Sequence, residues 1–237
     1  MNQGTYPLAA SMINQINRVN VISNNLANAN TVGFKQEALS EGSFNHYLDK
    51  AKEENFKPTK ISTVLNTIPK LDTKYVIDTQ GSIEVTGNNM DFALMDKNVF
   101  FKVQNEKGDI LLSKNGTFHI MNNSVVNGIG QKILDGNNEP IATEEGLNTL
   151  LGLVKTDFTN LEKIGNNNYR ILDSEKLENI DVNDDYLIQG SVEKSNVNTI
   201  HTMVSLIEAQ RKFAQTQKAI ESINEIEKSA ITKLGRA

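Results

Sequence analysis

Asn24-Asn25-Leu26-Ala27-Asn28-Ala29-Asn30-Thr31-Val32-Gly33-Phe34-Lys35 ends an otherwise ordinary amphipathic helix, and its reading decides what kind of fold this is. Asn is a mediocre helix former, because its side chain competes for nearby backbone groups. Four asparagines within seven positions, with Leu26 and Ala27 between them, make a polar seam carrying a few apolar knobs. Such a seam is ill suited to a private core and suits an amide-rich contact with another surface. From the residues alone, a frayed helix end followed by a polar turn stands equally beside that reading. Asn30 and Gly33 are the natural terminators, since both tolerate the left-handed backbone that ends helices.

Working outward, residues 5–30 read as the helix itself. Pro7 fits its first turn, where a missing N–H costs little. Ala9, Met12, Ile16, Val19 and Leu26 recur at three, four or seven positions, with Ile13 and Ile22 beside them. At the other end, residues 197–234 contain no proline or glycine. Leu206, Ala209, Phe213, Ile220, Ile223, Ala230 and Leu234 follow a seven-residue repeat that Thr216 and Glu227 break. Ile200, Met203, Val204 and Ile207 form a slightly rotated stripe upstream, a shift of the stutter kind. At ~1.5 Å per residue this second helix runs beyond roughly 50 Å, longer than most helices of globular domains.

Between the helices the pattern changes. Val99-Phe100-Phe101-Lys102-Val103 and Asp109-Ile110-Leu111-Leu112 flank Asn105-Glu106-Lys107-Gly108 and predict a β-hairpin. Asn115-Gly116 precedes Phe118-His119-Ile120, and Asp135-Gly136 precedes a further turn near Pro140; both dipeptides favour the tight turns that match strand twist. The expected class is therefore α+β. N- and C-terminal amphipathic helices form a split, coiled-coil-like helical unit, and a mainly β domain is inserted between them. The expected boundaries are 1–35 for the N-terminal helix and 36–75 for an extended connector containing Pro58 and Pro69. Residues 76–190 are the all-β domain and 191–237 the C-terminal helix. Neither helix can bury its stripe alone, so they pair with each other, with neighbouring copies, or with both.

Composition narrows the function. A net charge of −5 without a basic block gives no support to a phosphate-tracking, nucleic-acid role. The absence of cysteine excludes disulfides, thiolate zinc sites and cysteine nucleophiles together. No apolar run approaches the ~20 residues that span a bilayer, so no membrane insertion is expected. Met1–Pro7 has neither a basic cluster nor an apolar core, which leads to the expectation of export, if any, without a cleaved signal peptide.

With these elements in order, three motifs resemble the rod and hook family of the bacterial flagellum. Asn24-Asn25-Leu26-Ala27-Asn28 through Thr31 and Gly33-Phe34-Lys35 is similar to that family's N-terminal signature. Asp78-Thr79-Gln80-Gly81, Thr86-Gly87-Asn88 and Asp91-Phe92-Ala93-Leu94 resemble the start of its β domain. Gly190-Ser191-Val192-Glu193 with Ser195-Asn196-Val197 resembles the lead-in to its C-terminal helix, and Arg211 and Phe213 fall on its Arg-x-Phe. Asn89-Met90 and Leu112-Ser113-Lys114-Asn115-Gly116 depart from the family pattern. The compact length and Gln3-Gly4-Thr5-Tyr6 are most similar to proximal rod proteins, with distal rod or hook-type subunits the nearest alternative.

The resemblance implies a structural subunit of a helical tube in the periplasmic part of the basal body, exported unfolded by the flagellar type III apparatus. Its partners would be other rod subunits and itself. It implies subunit-interface residues Ile16, Val19, Asn24, Asn25, Leu26, Ala27, Asn28, Thr31, Gly33 and Phe34 on the N-terminal side. On the C-terminal side they are Ser195, Asn196, Val197, Leu206, Phe213, Ile220 and Ile223. Phe34 is equally readable as a core residue.

Other chemistry finds little support. Asp181-x-Asn183-x-Asp185 begins like a calcium loop, but Tyr186 occupies the glycine position and Val192 the bidentate glutamate position. Gly128-x-Gly130 lacks the third glycine of a nucleotide loop. His46, His119 and His201 are scattered without metal-ligand spacing, and Glu144-Glu145 and Asp184-Asp185 are merely adjacent carboxylates. No catalytic residue, cofactor or metal is expected. A cell-wall hydrolase carried on the β domain and a soluble assembly factor are the readings from other classes.

Overall fold

The computed structural model describes residues 5–42, 70–142, 146–180, 182 and 186–234. His46, Pro58, Pro69, Glu144-Glu145 and the Asp181, Asn183, Asp184 and Asp185 positions lie outside the described residues, as does most of the expected connector. The chain is α+β: helix α1 (Thr5–Ala27) opens it, a mainly β region follows with the single-turn helix α2 (Leu147–Leu150), and helix α3 (Thr199–Leu234) closes it. No helix among the described residues is long and apolar enough to cross a membrane. The chain divides into two compact units, Met1–Ala27 with Glu37–Tyr75 and Asn198–Ala237, and Asn28–Gln36 with Val76–Val197.

In the first unit α1 packs against α3, and strands β1 (Glu37–Gly42) and β2 (Lys70–Val76) pair beside them. Strands therefore occupy both described ends of the segment expected to be an extended connector. Asn198 caps α3: its Oδ1 accepts from the His201 N–H at 3.0 Å and so satisfies one orphan donor of the first turn. Along α3 the positions that lose exposure are Leu206, Ala209, Phe213, Thr216, Ile220, Ile223 and Glu227, at alternating steps of three and four. That seam is the face turned inward, and its period is the one expected of helix-on-helix packing. On α1 the best-buried residues are Val21 and Asn25. The inward line is thus rotated away from Ile13 and Ile16, which stay exposed.

The β unit contains thirteen described strands built around β5 (Val99–Gln104). β3 (Ile83–Val85) and β4 (Phe92–Leu94) precede it. After it come β6 (Ile110–Ser113), β7 (Phe118–Met121), β8 (Ser124–Asn127) and β9 (Lys132–Ile133). The chain continues through β10 (Leu153–Lys155), β11 (Leu161–Gly165), β12 (Asn168–Ile171) and β13 (Glu178–Ile180), and ends in β14 (Leu187–Gln189) and β15 (Ser191–Glu193). A nine-stranded sheet runs β11-β12-β6-β5-β9-β8-β7, with β10 bridging β5 and β13. Two antiparallel pairs, β4 with β14 and β3 with β15, join the start of the unit to its end.

Period-two alternation on β5 sends side chains to two cores. Val99, Phe101 and Val103 enter the larger core with Phe92, Phe118, Val125 and Ile133, where the Phe101 and Phe118 rings meet edge-on at 5.1 Å. Phe100 enters the smaller core with Phe158 and Tyr169, at ring separations of 5.1 and 5.7 Å. Both faces of β5 are covered, which explains why Val99 to Val103 are buried consecutively, Lys102 included. The β5–β6 hairpin forms as the sequence predicts, with Asn105 Oδ1 accepting from the Lys107 and Asp109 N–H groups.

One turn expectation changes. The tight hairpin turns fall at Asn122-Asn123 (φ 51° and 60°) and Asn166-Asn167 (φ 50° and 59°) rather than at Asn115-Gly116. Two consecutive positive φ values define the primed turn that suits strand twist, and Asn tolerates them without glycine. Asn115-Gly116 instead carries the chain past β4, where the Phe92 N–H donates to the Gly116 carbonyl at 2.8 Å.

Candidate assembly site

The Asn-rich run is shared between the two units. Asn25, on the last turn of α1, is 2% exposed, and its amide pairs with the backbone of Glu37. Its Nδ2 donates to the Glu37 carbonyl at 2.7 Å, and its Oδ1 accepts from the Glu37 N–H at 2.9 Å. A side chain satisfied on both atoms explains how an amide is buried at a helix end without penalty. In the β unit, Asn28 and Thr31 form a turn: the Thr31 N–H reaches the Asn28 carbonyl at 3.1 Å, and the hydroxyl reaches Asn28 Oδ1 at 3.2 Å. Asn24 and Ala27 are exposed, and Leu26 is half-buried.

Gly33 comes next, with φ +67°, and a Cβ there would lie 2.4 Å from the Lys114 carbonyl oxygen. Only glycine meets both demands, the left-handed backbone and the close approach. The Phe34 ring is buried, and the Lys163 ammonium sits 3.9 Å from its centroid while donating to the Lys35 carbonyl at 2.9 Å. Lys35 is itself 1% exposed. Its Nζ donates to Glu193 Oε1 at 2.6 Å and to the Thr79 carbonyl at 2.8 Å. The same Glu193 oxygen accepts from the Gly81 N–H at 2.8 Å, and the Gly33 N–H donates to the Glu193 carbonyl at 2.7 Å.

Asn196 gathers the neighbouring strands. Its Oδ1 accepts from the Gln36 N–H at 2.7 Å, and its Nδ2 donates to the carbonyls of Ile77 at 2.9 Å and Thr79 at 3.0 Å. Ser195 Oγ accepts from the Val197 N–H, and Val197 is buried. Behind this cluster lies Lys114, 2% exposed, its Nζ donating to the Asp96 carbonyl at 2.9 Å and lying 4.7 Å from the Phe100 centroid. Burial pushes its ammonium down to about 7, against the opposing pull of Glu193.

The three sequence motifs thus meet in one place, and there Gly33, Phe34, Asn196 and Val197 contact their own chain. Lys35 and Glu193 were quoted within motifs but not singled out as site residues. Their signal is their place: Lys35 closes Gly33-Phe34-Lys35 and Glu193 closes Gly190-Ser191-Val192-Glu193, each directly after an apolar residue. The helical residues of the predicted set lie apart from this cluster. Val19, Leu206, Phe213, Ile220 and Ile223 are half-buried, while Ile16 is exposed. More open are Ile13, Ile200, Met203, Val204 and Ile207, each at least 50% exposed. The i, i+3, i+4, i+7 spacing of the last four puts them on one stripe of α3. Among the described residues no group of His, Asp and Glu is arranged to hold a metal, and His119 and His201 stand on separate elements.

A helix pair with open apolar stripes in one unit and a buried meeting of three motifs in the other define an α+β protein with an inserted β domain. Comparison with known proteins says which. Residues 9–35 match the family profile described as flagella basal body rod protein, and residues 188–233 that of the flagellar basal body rod FlgEFG protein C-terminal. The chain is 30% identical to the flagellar basal-body rod protein FlgG of Buchnera aphidicola subsp. Baizongia pistaciae, over 90% of this chain and 92% of that one. It is 29% identical to FlgF of Caulobacter vibrioides, over 92% of each, and 29% identical to the flagellar hook-basal body complex protein FlhO of Bacillus subtilis, over the full length of both. The chain belongs to the flagellar basal-body rod protein family. That family is structural and not enzymatic.

Proposed function

We propose that this chain is a proximal-type subunit of the flagellar rod that polymerises through its terminal helices. The observation that carries the reading is the uncovered stripe Ile200, Met203, Val204 and Ile207 on α3, together with Ile13 and Ile16 on α1. Apolar surface removed from water is worth about 25 cal/mol per Å², so covering these stripes with neighbouring subunits favours association. Head-to-tail contacts between unlike surfaces generate open helical assemblies when the rotation does not close a ring. The interface on this reading includes Ile16, Val19, Asn24, Leu26 and Ala27 with the open stripe Ile200, Met203, Val204 and Ile207, and takes in whatever surface of Leu206, Phe213, Ile220 and Ile223 the inward seam leaves half-buried. Residues of the motif junction shape the segments that lead into it.

The subunit travels unfolded through the type III exporter and folds at the growing tip in the periplasmic section of the rod. Its partners are copies of itself, other rod subunits and the export apparatus. Compact length and the opening Gln3-Gly4-Thr5-Tyr6 support the proximal assignment. A distal position is the second reading, favoured by the similarity over 90% of the chain to a protein named FlgG. Imaging purified basal bodies that carry a tagged copy tests both. Density at the proximal rod is the expected result, density at the distal rod selects the second reading, and absence from basal bodies leaves a soluble assembly factor.

A further inference from the structure

The chain passes between its two compact units four times, at 27/28, 36/37, 75/76 and 197/198. Three of those passages lie within a residue or two of the Asn196 side chain's partners. Gln36 N–H and the Ile77 carbonyl bond directly to that amide, and Asn196 stands next to Val197. Further bonds close the circle: the Ile77 N–H donates to the Gln36 carbonyl at 2.8 Å, and the Asn196 N–H to the Phe34 carbonyl at 3.4 Å. One layer deeper, Glu193 holds Lys35 and Gly81 through a carboxylate that is 1% exposed, and Gly33 through its backbone carbonyl. Only glycine fits this packing at 81, because a Cβ there would overlap the Lys194 carbonyl oxygen at 1.8 Å.

We infer that residues 33–36, 77–81 and 193–196 form one cooperative clamp, with Asn196 and Glu193 as its positioning residues, in which undocking of any segment releases the other two. The physical reason is the shared use of donors and acceptors. The Asn196 amide serves two foreign segments, and Glu193 serves the same two from below. Removing one segment therefore strands buried polar atoms on both others, and a buried polar atom without a partner costs more than its bond contributed. Separate contacts would open one by one; contacts that share acceptors open together. On the rod reading, the clamp fixes the segments by which the chain enters and leaves the β unit. The clamp itself is a property of the single chain and does not depend on that reading.

Native-state amide exchange on the purified full-length chain tests it, since exchange reports the opening free energy of each hydrogen-bonded group. The Gly33, Gln36, Ile77 and Gly81 amides are expected to share one opening equilibrium, well below that of the Lys102 and Leu112 amides in the core. The decisive variant is Asn196→Asp. It keeps the acceptor for Gln36 but loses the donors to Ile77 and Thr79. Exchange should rise about tenfold or more at all four amides, including Gly33 and Gly81, which Asn196 does not touch, with Lys102 and Leu112 unchanged. Thr79→Val, which removes only the 3.1 Å contact of the Asn196 amide with the Thr79 hydroxyl, serves as the milder variant. It should give the same pattern at smaller amplitude, and it decides the matter if Asn196→Asp speeds exchange in the core as well. Acceleration confined to Ile77 and its neighbours, no acceleration, or dissimilar openings in the unsubstituted chain would each overturn the clamp.

Discussion

Phe100-Phe101 on β5 and Met203-Val204 on α3 are adjacent apolar pairs with opposite fates. Both phenylalanines are fully buried, whereas Met203 and Val204 remain 51% and 50% exposed. β5 is paired on both edges and covered on both faces, so its side chains find partners within the chain. α3 offers more apolar circumference than its packing against α1 covers. One region is finished by folding, and the other, on the proposed function, is finished by assembly. The contrast teaches that apolar content alone does not identify a core; what matters is whether the chain supplies the opposing surface.

The largest effect should come from the finished region. Phe101→Ala is expected to destabilise the protein by about 3–5 kcal/mol, because a fully buried ring leaves a cavity as well as lost transfer energy. Urea unfolding followed by circular dichroism measures it. A loss under about 1 kcal/mol, within the range of ordinary surface changes, would erase the distinction drawn from burial. Glu193→Gln strands the buried Lys35 ammonium and should cost a comparable ~3–5 kcal/mol. A Lys35→Met/Glu193→Met double variant should lose less than the two single changes added together. Strict additivity in that cycle would mean the pair is not coupled.

A smaller effect concerns pH. Burial lowers Lys114 from 10.5 to about 7, so between those values the unfolded chain holds a proton that the folded chain has released. Stability must then rise with pH across that window, by up to ~1.4 kcal/mol per pH unit, and the contribution is flat below it, where both states are protonated. Lys102, also lowered by burial, adds in the same direction. Lys114→Met should flatten the rise between pH 7 and 10. An unchanged slope in that variant would assign the rise elsewhere.

The smallest effect on the isolated chain, and the sharpest for the comparison, is Val204→Asp. An exposed position predicts a change in monomer stability within ~0.5 kcal/mol. Incorporation into basal bodies and swimming should nevertheless be lost. A strain carrying the variant that swims normally would show that this stripe covers nothing.

Much of this was legible from residues. The two helices follow from 3.6-residue periodicity, and the β5–β6 hairpin from apolar runs around Asn105–Gly108. Less legible was which side of each helix faces in. α1 turns Val21 and Asn25 inward and leaves Ile13 and Ile16 outside, because packing against α3 and β1 selects the face, and a stripe on one helix does not name its partner. The turn chemistry was partly misplaced for a related reason: Asn122-Asn123 and Asn166-Asn167 adopt the positive φ that dipeptide preference assigns first to Asn-Gly.

By itself, the sequence determined the element types, their order, and the three motifs that mark the family, since local propensity and periodicity are written residue by residue. Only the tertiary structure decided that Lys35, Glu193 and Asn196, up to 161 positions apart, share one set of hydrogen bonds. It also split the Asn-rich run, giving Asn25 to the helical unit and Asn28–Gln36 to the β unit. Long-range pairing of buried polar groups depends on which surfaces meet, and no local pattern carries that information.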